Sequence, residues 1–546
     1  MRPNLLLTAV LFATTCGTTI AADGLWAEAI SEDVASTQNR EKSLRQHYNR
    51  PMSAVAAAVD IDAKRVEASS RLDPDQRAKF GQFMTPSSIG TFMASLFRRW
   101  PSEVRLLDPG ADVGSLTEAY FQLFAQKAPT GASLAVTAYE IDPILLDYLG
   151  EHYRSLQSRA RSLGFSTETQ IQPRDFIVEG TFALGLGRAP RFTHSILNPP
   201  YKKIGNGSPH RKLLSKAGIE TVNLYTGFLA LAVALTENNG EIVAIIPRSF
   251  CNGTYFRPFR EWLLKHAAIH HIHVFESRSK AFHEDSVLQE NIVIYLGRGQ
   301  KQGAVTVSSS RDATFSDYSE RQVPFADIVK SKDTEKFIHI PIQNGHQLPA
   351  RFTSSLSDLG LSVATGPVVD FRVKEYWLQE PNDESAPLLY SHHFSKGKFT
   401  WPKAHKKPNA LTVTHETTKW LMPSGYYCVT KRFTSKEERR RVVAYVVDPS
   451  KLPGNLVGIE NHLNVFHVDK AGLTPQIANG LAAFLNSTDV DNFFRTFSGH
   501  TQVNATDLRS LRYPSTSALA NLGNWFIRHP SATQDEIDKA VMRHAK

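Results

Sequence analysis

The chain is poor in cysteine: Cys16, Cys251 and Cys428 are the three in 546 residues. They are too few and too scattered for a disulfide framework or a cysteine-based zinc site, which fits a reducing compartment. A run of about eighteen apolar residues is also missing, so no membrane-spanning helix is expected. Internal repeats and low-complexity tracts are absent, which excludes solenoids and propellers. Negative charge is in deficit, with a formal net charge of +9. Residues 390–441 hold twelve Lys/Arg against three Glu, a net of +9, so the rest of the chain sums to about zero. A local excess of this kind is the footprint of a polyanionic partner, nucleic acid above all.

What is present, 41% hydrophobic and 21% charged residues, describes a soluble globular protein with room for two or three cores. Residues 1–70 read as a helical N-terminal segment. Within them an apolar run from Leu5 to Ala13, behind one positive charge and ahead of small residues, has the pattern of a secretory signal peptide; the same residues also suit an amphipathic first helix. From about 70 to 300, "VRLLDP", "LAVTAYEID", "FTHSILN", "GEIVAIIP", "IHHIHVF" and "ENIVIYLG" alternate with helical stretches. That alternation predicts an α/β domain, a mostly parallel sheet with helices on both faces. Residues 300–350 read as a polar, irregular boundary. Beyond them Lys, His and aromatics increase and clean βα units fade. The expected organisation is therefore 1–70, a catalytic domain over 71–345, and a mixed α+β C-terminal domain over 346–546.

In an open α/β sheet, ligands bind outside the carboxyl ends of the strands. After "VRLL" comes Asp108-Pro-Gly110-Ala-Asp-Val-Gly114, whose glycines permit a tight turn into a helix. Thirty-two residues beyond Asp108, "YEID" places Glu140 where a βαβ nucleoside site needs an acid for ribose hydroxyls. Asp175 in "RDFIVEG" follows a third candidate strand and suits an amino-group donor such as adenine. A fourth strand end carries Asn198-Pro199-Pro200-Tyr201. Two prolines make a rigid turn poor in donors, flanked by an amide oxygen, a carbonyl and an aromatic face. The turn accepts hydrogen bonds and stacks a ring.

Taken together, these motifs resemble the gamma class (TaqI-like) of S-adenosylmethionine-dependent DNA adenine-N6 methyltransferases, the modification enzymes of restriction–modification systems. "KFGQFMTPSSIGTFMASLF" (79–97) is similar to the upstream motif that holds the methionine end of the cofactor, which implies Thr85 and Pro86. "LLDPGADVGSLT" resembles the glycine-rich cofactor loop, implying Asp108, Gly110 and Gly114. "YEID" and "RDF" resemble the ribose-binding and adenine-binding acids, and "NPPY" the catalytic motif. "KAFHEDSVLQENIVIYL" (280–296) is similar to the segment whose aromatic packs on the target base, which implies Phe282. "GHTQVNATDLRSLRYP" (499–514) resembles the end of the recognition domain. The resemblance covers roughly 75–515. It departs at Asp112, where family members often carry Gly.

The resemblance implies a Rossmann-like methyltransferase domain, S-adenosyl-L-methionine as cofactor and double-stranded DNA as substrate. It further implies a cognate restriction endonuclease sharing the site without a stable complex, a monomer, and a cytoplasmic location set by the cofactor, with the N-terminus then a helix. Lys396, Lys398, Lys406, Lys407, Lys431 and Arg432 are candidates for gripping phosphates; His500, Gln502 and Asn504 are candidates for reading bases. No metal is expected, and the "HHIH" stretch (270–273) reads as structural. Rival readings are methyl transfer to an RNA base or a protein glutamine, a bifunctional enzyme with a nuclease built on Asp370 and Lys374, and a non-catalytic DNA-binding module.

Overall fold

The computed structural model describes residues 52–73, 84–187, 191–276, 290–342, 348–395, 397–434, 438–499 and 501–544. The signal-peptide-like stretch lies outside them, as do Phe282, Lys396 and His500. The chain divides into Met1–Asp60 and Ile61–Lys546, the second a compact unit. Of the first only the start of helix α1 (Met52–Arg71) is described.

Strand β5 (Thr236–Pro247) shows why the sheet is buried on both sides. Its run Ile242–Ile246 is apolar at every position, as a central strand covered by two layers must be. Ile242, Ala244 and Ile246 face one core with α5 (Phe176–Gly185), α7 (Leu224–Leu235) and α8 (Arg257–His266). Val243 and Ile245 face the other, with α2 (Ser87–Ser95), α3 (Ser115–Lys127) and α4 (Pro143–Ser162). The remaining strands are β1 (Glu103–Pro109), β2 (Ser133–Tyr139), β3 (Ser166–Gln172), β4 (Phe192–Leu197), β6 (Ala267–Phe275), β7 (Asn291–Arg298), β8 (Val305–Ser310) and β9 (Ser319–Val323). Their order across the nine-stranded sheet is β3-β2-β1-β4-β5-β7-β6-β8-β9. β7 runs antiparallel between β5 and β6, and β9 antiparallel at the edge. The order reverses between β1 and β4, which pair in parallel, and a crevice opens at such a point.

Residues 300–323 correct one expectation: they continue the sheet as β8 and β9 instead of marking an irregular boundary. Their polarity has a partner. Ser308 Oγ lies 2.6 Å from His271 Nε2 and 2.8 Å from His273 Nδ1, and Ser310 Oγ lies 3.1 Å from His273 Nε2. The buried serines and histidines of β6 and β8 satisfy one another.

The C-terminal half holds a four-stranded antiparallel sheet (Ser362–Thr365, Leu463–His467, Tyr427–Lys431, Ala444–Val447) and a five-stranded one. After them come α9 (Pro475–Leu485), α10 (Thr488–Phe497), α11 (Ala505–Arg509), α12 (Thr516–Arg528) and α13 (Gln534–His544). Buried Arg248, just past β5, donates to the carbonyls of Arg495 and Thr496 at the end of α10. Asn252 donates to Asp507 (3.3 Å) and accepts from Gly499 N (3.2 Å). The loop after β5 is thereby bolted to the C-terminal helices.

Helices α9 and α12 cross on glycines. A Cβ at Gly523 would lie 1.8 Å from Gln476 O, and one at Gly480 2.0 Å from Leu519 O. Helix propensity alone favours Gly523→Ala by about 1 kcal/mol. The backbone clash reverses the sign: the variant is expected to be destabilised by about 2–3 kcal/mol, read as a lowered denaturant midpoint.

Candidate active site

Four strand ends converge on one cavity of about 390 Å³, within the range of small-molecule sites. Gly110 after β1, Glu140 after β2, Asp175 after β3 and Asn198, Pro199 and Pro200 after β4 all line it.

The glycine-rich turn owes its shape to backbone conformation. Gly110 has φ +79° and Gly114 φ +91°, values glycine adopts without penalty. Gly114 also has no room for a side chain, since a Cβ there would meet His152 Cδ2 at 2.7 Å. Asp112 has φ +50°, a left-handed conformation that aspartate tolerates better than most residues. Its N–H donates to Glu140 Oε2 at 3.0 Å. The position needs that backbone geometry and that N–H, which Asp supplies as Gly would.

Glu140 is 4% exposed and is held by three backbone donors, with Ile141 N and Asp142 N at 2.8 and 2.9 Å from Oε1. Burial pushes its pKa up, against the pull of these bonds. Asp175 caps α5, accepting from Ile177 N at 2.9 Å and Val178 N at 3.1 Å. Burial works to raise its pKa, but the His210 imidazole and the capped N–H groups outweigh it and hold the carboxyl below its ordinary value. Asp108 faces inward. It accepts from Thr117 Oγ1 at 2.7 Å, and burial raises its pKa to about 7. Its role is to anchor the turn from beneath, and it is not among the cavity-lining residues.

Asn198 is 7% exposed and its amide is fixed from both ends. Nδ2 donates to Thr85 Oγ1 at 2.9 Å, and Tyr201 OH donates to Oδ1 at 2.9 Å. Thr85 is placed in turn by the Met84-Thr85-Pro86 stretch that leads into α2, whose first amide, Ser87 N, donates to Asp62 Oδ1 of α1 at 3.0 Å. Tyr201 OH also lies 3.2 Å from Ile245 O, and its ring packs on the core beside Tyr225. It braces Asn198 from behind. Thr85→Val removes one end of this clamp and is expected to slow turnover about tenfold, the worth of one neutral hydrogen bond; steady-state kinetics check it.

Residues absent from the sequence reading complete the cavity: Phe176, Ile177 and Phe228 as apolar wall, Arg174, Lys202 and Lys203 as cations, and the His210 imidazole. Paired acids on adjacent strand ends and an apolar wall fit a nucleoside, with its hydroxyls, exocyclic amine and flat ring. Phe228 was within reach, because "NLYTGF" opens a helix; His210 had no local signal.

The basic candidates sit in different settings. Lys398 and Lys406 are exposed. Lys407 pairs with Asp370 and sits 5.6 Å from the ring centroids of both Trp377 and Tyr390. Lys431 lies over Tyr445, and Arg432 donates to Asn461 O at 3.1 Å. Gln502 bridges to Phe433, and Asn504 caps α11 with Asp507. Among the described residues no group of His, Cys, Asp and Glu is arranged to hold a metal ion, and no helix is long and apolar enough to cross a membrane.

The Eco57I restriction-modification methylase model matches residues 164–282, the span of the Asp175 and Asn198 motifs. The chain is 46% identical over 492 residues to Type II methyltransferase M.BsuBI of Bacillus subtilis, covering 88% of this chain and 96% of that one. The chain belongs to the type II methyltransferases. A second type II methyltransferase, M.PstI of Providencia stuartii, is 42% identical over 496 residues, covering 89% and 97% of the two chains. Among solved structures, the type IIG restriction endonuclease BpuSI aligns with a TM-score of 0.40 and 14% identity, covering 84% of this chain and 62% of that one.

Proposed function

We propose that this type II methyltransferase transfers a methyl group from S-adenosyl-L-methionine to the N6 amino group of an adenine in double-stranded DNA, as the modification enzyme of a restriction–modification system. One observation carries the reading. An asparagine amide, clamped by Thr85 and Tyr201, stands at the β4 end of the same cavity that Glu140 and Asp175 line.

When bound, the cofactor would supply an activated methyl group; Glu140 would hold its ribose hydroxyls, Asp175 its adenine amino group, and Thr85-Pro86 its methionine end. The chain's own task is orientation. An aromatic amine is a poor nucleophile because its lone pair is delocalised into the ring. The amide oxygen of Asn198 and the carbonyl of Pro199 accept its two N–H bonds, draw the nitrogen toward tetrahedral geometry and fix where the lone pair points. Placed dipoles and proximity do the work, without a covalent intermediate. The target base must leave the duplex at a cost of roughly a few kcal/mol, which favours a pocket offering apolar and aromatic walls.

Residues 71–345 would form the catalytic domain and 346–546 the target-recognition domain, whose local +9 charge would neutralise phosphates. The cognate endonuclease would read the same site without forming a stable complex. Incubation of the purified chain with methyl-labelled cofactor and plasmid DNA, total RNA or protein extract tests the substrate class. Label in DNA alone is expected; label in RNA or protein instead would overturn the reading.

A further inference from the structure

Asp175 and His210 belong to different segments of the cavity wall, and they meet across it: His210 Nε2 lies 2.9 Å from Asp175 Oδ2. The other carboxylate oxygen is committed to the cap of α5. An ionised carboxylate has no proton to give, so Nε2 carries the hydrogen and Nδ1 is the atom that titrates. His210 opens helix α6 (Pro209–Lys216), eight residues beyond Lys202 in the segment that follows the Asn198 turn. Ile204, Gly205 and Ser208 of the same segment line the cavity. The His210–Asp175 bond ties this segment to the third strand end.

Resting on the reading that Asp175 accepts from the cofactor's adenine amino group, we infer that His210 is a positioning residue for the cofactor. It holds the Asp175 carboxylate toward the nucleoside, and affinity for the methyl donor is highest while its ring is neutral.

Two physical effects set that direction. A protonated ring would use up much of the acceptor strength of Asp175. It would also add positive charge to a cavity that Arg174, Lys202 and Lys203 line together with Glu140, Asp112 and Asp175, with Arg211 and Lys212 next along α6. S-adenosylmethionine is itself a cation, so it favours the neutral form. The hydrogen bond to Asp175 raises the His210 pKa above the ordinary histidine value, against burial and Lys202. Affinity is therefore full above that raised pKa and falls as pH drops through it, in the range where histidine acts as a switch.

Calorimetric titration of the full chain with S-adenosylmethionine, from about pH 8.5 to about pH 6, tests this. The dissociation constant is expected to rise as pH falls, by up to about tenfold per pH unit below the His210 pKa. His210→Gln keeps an N–H donor but does not titrate; its affinity should stay near the alkaline wild-type value and lack the histidine slope. His210→Ala should bind weakly at every pH. The donor's own amino group titrates identically in all three proteins, so the difference in slope is the readout. Nitrogen NMR of the His210 ring should show its pKa falling on binding. Equal slopes in wild type and His210→Gln, or a ring pKa that binding leaves in place, would overturn the role. Absence of binding in wild type at any pH would instead overturn the cofactor reading beneath it.

Discussion

Asn198→Ala is expected to slow methyl transfer on the order of 10²–10³-fold while leaving the dissociation constant of the methyl donor nearly unchanged. The split follows from where the amide sits. Asn198 lines the β4 end of the cavity, whereas the acids suited to a nucleoside stand on the β2 and β3 ends. Truncation removes one of the two acceptors proposed for the target amine and leaves the Tyr201 hydroxyl to donate to Ile245 O. The surviving Pro199 carbonyl cannot fix the nitrogen alone. Asn198→Asp should lose less, because an oxygen remains for the amine and the Thr85 hydroxyl can turn to donate to it. Single-turnover rates and calorimetry on the same preparations separate the two quantities.

Glu140→Ala should do the opposite, weakening cofactor binding on the order of 10²-fold, about 2.7 kcal/mol. The carboxylate gathers the N–H groups of Asp112, Ile141 and Asp142 within 3.0 Å, so it holds the glycine-rich turn and the β2 end together. Removing it leaves three donors to be satisfied by water and frees the turn. Glu140→Gln keeps the shape but exchanges an acceptor for a donor at one oxygen, and should fall between. Calorimetry reads the loss directly, and single-turnover rates at saturating donor should recover much of the wild-type value.

The strand ends were legible because short apolar-rich stretches alternate with helices and the polar residue that closes a stretch carries the chemistry; β3, the polar edge strand Ser166–Gln172, was marked only by the acid that follows it. Glu140 and Asn198 stand out for that reason. β8 was harder to see: its inward serines look like loop residues until the buried His271 and His273 are placed opposite them. His210 was invisible because nothing local brings the start of α6 to the cap of α5. The basic segment shows the limit of composition. Charge marked 390–441, but only the fold shows that Lys407 is paired with Asp370, that Arg432 holds a backbone carbonyl and that Asn504 caps a helix. The same pairing commits the Asp370 carboxylate that a nuclease reading would need.

The central claim is that a clamped amide at the fourth strand end steers an adenine amine onto a methyl donor. It is tested most directly by expressing the chain in cells that lack adenine methylation, recovering plasmid DNA and mapping modified bases by sequencing. N6-methyladenine in one short recognition sequence is predicted, and its disappearance in Asn198→Ala. Modification on cytosine, or an unchanged adenine map in that variant, would contradict it.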